Sequence, residues 1–384
     1  MAEIFRITAP CHFGMEAVLK REIYDLGYDI DEVDNGRVTF TGDDEAIARA
    51  NIGLRTTERI LINAGQFEAL TFTELFDNTF DIPWEKYIPV DGAFPVVKAT
   101  SINSKLFSTR DIQSIVKKAI AEKLKKIYKI ARPEETGASY PIRVNILKDK
   151  VLIGIDTSGV SLHKRGYRQV SGEAPISETL AAAIVMLTPW KSDRILVDPF
   201  CGSGTFAIEA AMIAAGIAPG INREFTSMDW DNIIPKKVWY DVTDEFRGQT
   251  DTGITTDIQA YDIDENVLKK ARTAAKEAGV DNLIHFQKRD VKDLSHSKKY
   301  GFLITNPPYG ERLEDKEKLP ALYGALGQAF GRLDSWSAYV ITPYEGIEKD
   351  FGRKATKKRK LYNGMIKTDL YAFEGPRPPK KQTQ

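Results

Sequence analysis

The fold is decided by the stretch Arg194-Ile195-Leu196-Val197-Asp198-Pro199-Phe200-Cys201-Gly202-Ser203-Gly204-Thr205 and the apolar run Phe206-Ala207-Ile208 that follows it. A short apolar strand, 194–198, ends in an acid. A glycine-containing turn follows, and a helix is predicted over 205–215. Two glycines let the backbone turn tightly and approach a bulky ligand. An acid at a strand end accepts hydrogen bonds from an ammonium or a hydroxyl. The third glycine of the dinucleotide fingerprint is missing, and no Gly-Lys-Ser/Thr follows to make a phosphate loop. The plain alternative is a tight strand-to-helix turn with no ligand.

Outward from this stretch, helix and short strand signals alternate: helix 176–188, a strand near 258–262, helix 265–278, strands 283–287 and 302–305, helix 318–332 and strand 337–342. Such alternation predicts a mostly parallel α/β sheet with helices on both faces. Sheets of this kind place ligands at the carboxyl ends of their strands. Three further strand ends carry candidates. Asp262 and Ile263 end the second strand, and an acid there suits the two hydroxyls of a ribose, while Asp264 caps the next helix. Asp262 lies 64 residues after Asp198, against about 20 in the dinucleotide pattern, so residues 216–256 are read as an insertion. Asp290 and Val291 follow the third strand, where an acid or amide meets an adenine edge; a plain loop carboxylate is the alternative. Asn306-Pro307-Pro308-Tyr309-Gly310 follows the strand Phe302-Leu303-Ile304-Thr305. Its two prolines lock the backbone. Asn306 offers an amide oxygen, Pro307 a carbonyl and Tyr309 a flat face, which together suit a planar base with an exocyclic amino group.

The amino-terminal part reads differently. Strands at 4–8 and 37–42 flank a helix over 15–27. A strand at 94–101 precedes a long helix whose start is marked by Ser108 and Asp111. Ile112, Ile115, Val116, Ala119, Ile120 and Ile127 fall on one arc of that helix, and Arg110, Lys117, Lys118, Lys125 and Lys129 on the other. The chain of 384 residues has a formal net charge of zero, with segregated charges. Residues 1–97 hold 8 basic and 18 acidic side chains, and residues 98–132 hold 10 basic and 2 acidic. The segment Arg353-Lys354-Ala355-Thr356-Lys357-Lys358-Arg359-Lys360 holds 6 basic and none acidic. Two concentrated basic segments in a neutral chain point to a polyanion; a solvated helix face and a basic loop are the bland reading.

Composition removes several classes. Apolar residues at 42% and charged residues at 28% are ordinary for a globular protein. Two cysteines, Cys11 and Cys201, make no disulfide framework. The longest apolar run, Leu180–Leu187, falls far short of the roughly 20 residues of a membrane span. No signal peptide is read at the start, and a cytoplasmic protein is expected. His12, His163, His285 and His296 lack metal-ligand spacing, so no metal site is expected. A nucleophilic role for Cys201 is rejected, because such a thiol needs a base or a positive field.

The motifs as a set, DPFCGSGT, AYDID, RDV and NPPYG, resemble those of S-adenosylmethionine-dependent amino-methyltransferases. Ser161-Leu162-His163-Lys164-Arg165-Gly166-Tyr167-Arg168, Ala174-Pro175 and Glu178-Thr179-Leu180-Ala181-Ala182 narrow the resemblance to RNA methyltransferases that carry an amino-terminal THUMP domain, in particular the bacterial 23S ribosomal RNA guanine-N2 enzymes. It covers essentially the whole chain, more by layout than by motif in the first ~150 residues. The resemblance implies a Rossmann-like methyltransferase sheet preceded by a small α+β ferredoxin-like and THUMP region. The expected boundaries are 1–65 (ferredoxin-like), 66–156 (THUMP), 157–172 (connector), 173–376 (methyltransferase) and 377–384 (disordered tail). S-adenosylmethionine would be held by Asp198, Pro199, Cys201, Gly202, Gly204, Thr205, Asp262, Ile263, Asp290, Val291 and Asn306. The base would be held by Asn306, Pro307, Pro308 and Tyr309. RNA contacts are expected from Lys105, Arg110, Lys117, Lys118, Lys125 and Lys129, from Lys164, Arg165 and Arg168, and from Lys357, Lys358, Arg359 and Lys360. For His163 and Arg165, anchoring the connector is the equal alternative. NPPY also occurs in adenine-N6 enzymes, so an adenine-N6 enzyme on RNA or DNA and a transfer RNA guanine-N2 enzyme are the competing activities. A non-catalytic RNA-binding assembly factor is the reading of another class. The oligomeric state is left open.

Overall fold

The computed structural model describes residues 3–168, 176–251, 253–310 and 316–379. Ala174 and Pro175, the end of the expected connector (169–172) and most of the expected tail lie outside the described residues. The chain divides into two compact units.

The first unit comprises Met1–Cys11, Leu19–Leu162 and Gly220–Gly248. It is built on one seven-stranded sheet in the order β2-β3-β1-β4-β7-β6-β5. The strands are β1 (Phe5–Pro10), β2 (Ile30–Asp34), β3 (Arg37–Gly42), β4 (Leu61–Glu68), β5 (Val96–Ile102), β6 (Ile142–Leu147) and β7 (Lys150–Asp156). All neighbours run antiparallel except β5 and β6. The expected boundary at 65/66 falls inside β4. That strand pairs with β1 through Leu61 and Ile62 and with β7 along its whole length, so a single strand serves both halves. The helix α4 (Thr109–Tyr128) starts where Ser108 accepts a hydrogen bond from the Asp111 amide. It buries Ile112, Val116, Ala119, Ile120 and Leu124. Leu124 takes the inner position, while Ile127, expected on the apolar arc, is exposed.

Within the span expected for the methyltransferase domain, 173–376, one segment groups elsewhere. Residues Gly220–Gly248 pack within the first unit. The physical reason is aromatic. The Trp230 indole stacks on Tyr140 with ring centroids 4.7 Å apart and donates to the Ser139 carbonyl at 2.8 Å. In the helix α7 (Lys236–Gly248), Trp239 stacks on Phe225 and is buried with Val242 and Phe246. Burying one such side chain stabilises a fold by about 1.5–3 kcal/mol, which outweighs chain continuity as the determinant of where this insertion folds.

The second unit comprises His12–Val18, His163–Pro219 and Gln249–Gln384. Its seven-stranded sheet has the order β10-β9-β8-β11-β12-β14-β13. The strands are β8 (Leu196–Asp198), β9 (Ile258–Asp262), β10 (Ile284–Lys288), β11 (Phe302–Thr305), β12 (Ser337–Thr342), β13 (Lys357–Asn363) and β14 (Ile366–Phe373). The five strands β8 to β12 are parallel, and β14 runs antiparallel between β12 and β13. Successive strands step one way from β8 to β10 and the other way from β11 to β12. The topological switch point therefore lies between β8 and β11, where ligands collect in open α/β sheets.

Helices α6 (Thr205–Ala214) and α8 (Glu265–Glu277) pack on the sheet at β8, β9 and β10, and α5 (Glu178–Leu187) packs on α6. The helices α9 (Leu319–Gly331) and α10 (Ile347–Asp350) share a core with Val197, Leu303, Val340, Tyr371 and Phe373. The basic segment 353–360, expected as a loop, enters the edge strand β13 at Lys357.

Candidate cofactor and target-base site

Four of the expected loops leave the carboxyl ends of β10, β9, β8 and β11, which are neighbours in the sheet. At the end of β8 the chain turns through Gly202 (φ +52°) and Gly204 (φ +81°), both in the left-handed region. Gly204 is the residue before α6. A Cβ there would sit 3.2 Å from the Ala271 Cβ and 3.3 Å from a Phe286 ring carbon, so glycine is needed for space as well as for φ. The turn is tied to β9: the Cys201 amide donates to the Tyr261 carbonyl at 2.8 Å, and the Gly202 amide donates to Asp262 Oδ2 at 3.0 Å. Asp262 Oδ1 also accepts from the Asp264 amide at 2.9 Å. A carboxylate has about four lone-pair sites, so two remain for hydroxyls. Asp264 caps α8 by accepting from the Asn266 amide, as expected.

Asp198 is 2% exposed. Its Oδ1 accepts from the Thr305 hydroxyl at 2.6 Å and from the Phe200 amide at 3.1 Å. Burial pushes its carboxyl pKa up to about 7, against the lowering effect of those two bonds. Thr305 is the last residue of β11, so this bond joins the glycine turn to the next motif. Sequence reasoning misses Thr305; the available signal is a hydroxyl at the end of an otherwise apolar strand.

In the next motif, the Asn306 Oδ1 is buried and has no hydrogen-bond partner among the described residues. Pro307 is buried, Pro308 exposed and Tyr309 half-buried. The Tyr309 hydroxyl accepts from Asn363 Nδ2 at 3.3 Å, and burial pushes its pKa up to about 12. Asn363 is also missed from the sequence; its available signal is the turn-forming Asn-Gly pair alone.

Asp290 is exposed and caps a 3₁₀ turn over Val291–Asp293, accepting from the Lys292 amide, while Val291 enters the core. Ile263 stands 66% exposed beside Asp262, an apolar face next to an acceptor. Burial drives the Cys201 thiol well up, with Asp198 and Asp262 adding to the effect, which starves it of the thiolate a nucleophile needs. Pro199 is buried. Thr205 Oγ1 accepts from Arg168 Nη2 at 2.6 Å.

The basic candidates divide. Arg165 is buried 3.5 Å from Glu209, and Arg168 lies 3.5 Å from Glu178. Arg168 braces the starts of α5 and α6 through Glu178 and Thr205, and Arg165 faces Glu209 inside α6, a placement that favours the anchoring alternative for Arg165; Lys164 is exposed. Lys117 is held by Glu135 at 2.5 Å and lies over the Phe94 ring. Lys125 pairs with Glu122. Lys118 lies over Phe76. Lys105, Arg110 and Lys129 are exposed. In β13, Lys357 pairs with Glu374, Lys358 lies near Asp369, and Arg359 donates to the Gly14 carbonyl. Lys360 is exposed.

A glycine cradle, an acid with spare lone pairs beside an exposed apolar residue, and an orphaned buried acceptor fit a nucleoside-bearing methyl donor and an amino-group target. Comparison with known proteins agrees. A family model described as "RMKL-like, methyltransferase domain" matches residues 165–372. Models of the RlmL ferredoxin-like domain and of the THUMP domain match residues 6–61 and 69–156. "Putative RNA methyltransferase YpsC" of Bacillus subtilis is 49% identical over 383 residues, covering 99% of both chains. "Ribosomal RNA large subunit methyltransferase K/L" of Allochromatium vinosum is 33% identical over 386 residues, covering 97% of this chain and 51% of that protein. The chain thus spans about half the length of the K/L relative. A Listeria monocytogenes structure, described as a "predicted N6-adenine-specific DNA methylase", is 48% identical, with TM-score 0.91 and 97% of each chain covered. The structure of "SMU.472, a putative methyltransferase complexed with SAH" is 44% identical, with TM-score 0.92, covering 98% of this chain and all of that one.

Fold and site together define an S-adenosylmethionine-dependent methyltransferase. Within that class the chain belongs to the RMKL-like methyltransferase family, with ferredoxin-like and THUMP domains ahead of the catalytic domain. Among the described residues no helix is long and apolar enough to cross a membrane.

Proposed function

We propose that this chain methylates the exocyclic N2 amino group of a guanosine in RNA, with large-subunit ribosomal RNA in the cytoplasm as its substrate. The observation that carries the reading is the buried Asn306 Oδ1 at the switch point, without a partner among the described residues, one residue after the Thr305 hydroxyl that bonds Asp198. A buried acceptor left without a donor costs about 1–3 kcal/mol, and an amino group entering the site relieves that cost. The K/L name of one relative and the THUMP match support ribosomal RNA.

S-adenosylmethionine, when bound, supplies a methyl group already activated on a sulfonium. The chain's task is the nucleophile. Asn306 Oδ1 and the Pro307 carbonyl accept the two N–H bonds of the amine, which returns electron density to nitrogen and aims it at the methyl. Tyr309 offers its ring to the flat base. Orientation of this kind contributes up to ~7–11 kcal/mol in ideal intramolecular cases. Nitrogen gains the methyl and loses a proton, which passes to solvent. A paired base must first leave its stack, at a cost of a few kcal/mol. Residues 66–156 hold structured RNA through shape and phosphates.

The same pair of acceptors also suits the N6 amino group of adenine, a reading favoured by the name given to the Listeria neighbour. The test is transfer of tritiated methyl to unmodified total RNA from a deletion strain, with nucleoside analysis. Label in N2-methylguanosine of the large ribosomal RNA is the expected result. Label in N6-methyladenosine overturns the guanine assignment, and no label on RNA or ribosomal particles, with cofactor bound, overturns the enzymatic reading.

A further inference from the structure

The β13–β14 hairpin carries a feature that methyl transfer does not use. Asn363 pairs with Ile366, so the connection is the two-residue loop Gly364-Met365. Gly364 has φ +60°, and Met365 at the second loop position is not in the left-handed region, as in a type II′ turn. That turn asks for glycine at its first position and for nothing apolar at its second. Yet Met365 is 98% exposed. Tyr362 and Ile366 beside it are also exposed, and Phe13 meets Tyr362 edge-on with ring centroids 6.4 Å apart. The tip is therefore an apolar projection that water must cover, which marks a contact surface.

Two observations say what it contacts. The strand leading to the tip is basic: Lys357 and Lys358 meet Glu374 and Asp369 and Arg359 donates to the Gly14 carbonyl, while Lys360 and, just beyond the tip, Lys367 are exposed, so the partner carries negative charge. And Asn363, the residue before the loop, holds the Tyr309 hydroxyl of the target-base motif. A basic strand ending in a flexible apolar side chain, tied to the residue that would stack on the base, has the chemistry of a wedge: cations on phosphates, and methionine or an aromatic between base pairs.

We propose that the Tyr362–Ile366 tip is a wedge that enters an RNA stem beside the target nucleotide and occupies the space the base vacates. The inference rests on the RNA reading of the site. Strand β13 lies along the backbone, Met365 enters the stack, and Asn363 couples the inserted tip to Tyr309.

The test uses the full chain with S-adenosylhomocysteine and an RNA stem carrying 2-aminopurine at the target position. The chain should raise 2-aminopurine fluorescence. Met365→Ser should lower the opened fraction about tenfold, while affinity for the stem, read by anisotropy, changes less than about threefold; Met365→Leu should keep the opening. Unchanged opening in Met365→Ser, or no opening by the wild-type chain, overturns the wedge. So does binding of the tip to phosphatidylglycerol vesicles that Met365→Ser abolishes while its RNA signal stays intact. The readout needs no methyl transfer. A chain that opens the stem but methylates no guanosine refutes the transfer reading alone. A Met365→Ser chain that methylates paired guanosine as well as the wild type does refutes the wedge alone.

Discussion

The molecule contains two seven-stranded sheets, and they gather chemistry in different ways. In the second unit five adjacent strands run parallel, so their carboxyl ends share one edge and every loop that leaves there is a neighbour of the next. Asp198, Asp262, Asp290 and Asn306 come from four strand ends spread over about 110 residues of sequence, and the topology alone puts them in a row. In the first unit the strands are mostly antiparallel, which sends successive strand ends to opposite edges. No such row can form, and function must be carried by a face. The comparison assigns reaction to one sheet and grip to the other, and it can be broken at either end.

The largest effect should come from Asn306→Ala. It removes an acceptor needed only when the amino group is present, so methyl transfer should be abolished while cofactor affinity stays within about tenfold, or roughly 1.4 kcal/mol. Because Oδ1 is buried without a partner among the described residues, its loss should leave Tm unchanged or raise stability by about 1 kcal/mol. Inactivity together with a lowered Tm would show that Asn306 is a structural residue. Next in size is Gly204→Val. Its side chain would meet Ala271 and Phe286 with φ at +81°, so cofactor binding measured by calorimetry should be lost, with a stability cost of at least about 1–2 kcal/mol. Intact cofactor binding would detach the glycine turn from the site.

Asp198 supplies the second sheet with a pH signature. Its folded pKa of about 7 lies above the ordinary carboxyl value, so from about pH 4 to 7 the folded chain keeps a proton that the unfolded chain has lost. Stability without cofactor should therefore fall as pH rises through that window and level off above 7; Asp198→Asn should remove this component, read as Tm against pH. Cofactor binding runs the other way, because the carboxylate is the accepting form: affinity should fall below pH 7 by up to about tenfold per unit. A pH-independent difference between wild type and Asp198→Asn would refute the buried, shifted carboxyl. Smaller still, Asn363→Ala should lower turnover about five- to tenfold, the equivalent of one hydrogen bond of about 1–1.5 kcal/mol, with KM for the cofactor unchanged.

The asymmetry between the sheets also explains what is legible in the sequence. Asp198, Gly202, Gly204, Asp262 and Asn306 each sit where a local apolar run stops, so a local reading finds them, and the parallel topology completes the site. The partners of buried charges are not local. Arg165 stays undecided between RNA contact and anchor because Glu209 lies 44 residues away in sequence, and Arg168 likewise cannot be matched to Glu178 without the fold. Strands β13 and β14 escape a sequence reading because KKRK is a poor strand signal; an edge strand tolerates charge along its open side, which masks the alternation. The cut at 65/66 runs through β4, which pairs with both β1 and β7 at Leu61 and Ile62, a sharing that no local signal records. Chain continuity assigns residues 220–248 to the catalytic domain, whereas Trp230, stacked on Tyr140, ties them to the first unit.

The smallest predicted effect tests the grip assigned to the first sheet. The basic arc of α4 is partly spent inside the unit. Lys117 is committed to Glu135 and Phe94, and Lys125 to Glu122, while Lys118, Lys123 and Lys126 lie over the rings of Phe76 and Phe80. A lysine over a ring keeps its charge, so Lys118 and Lys126 remain able to face phosphate, whereas Lys117 must break a half-buried pair to do so. Lys118→Ala and Lys126→Ala should each weaken RNA binding a few-fold and reduce the slope of log K against log salt by about one, uniformly across RNA sequences. Lys117→Ala should instead lower Tm with little change in that slope. If Lys117 alters the slope and Lys118 does not, the helix presents a different face to RNA than its ring contacts imply.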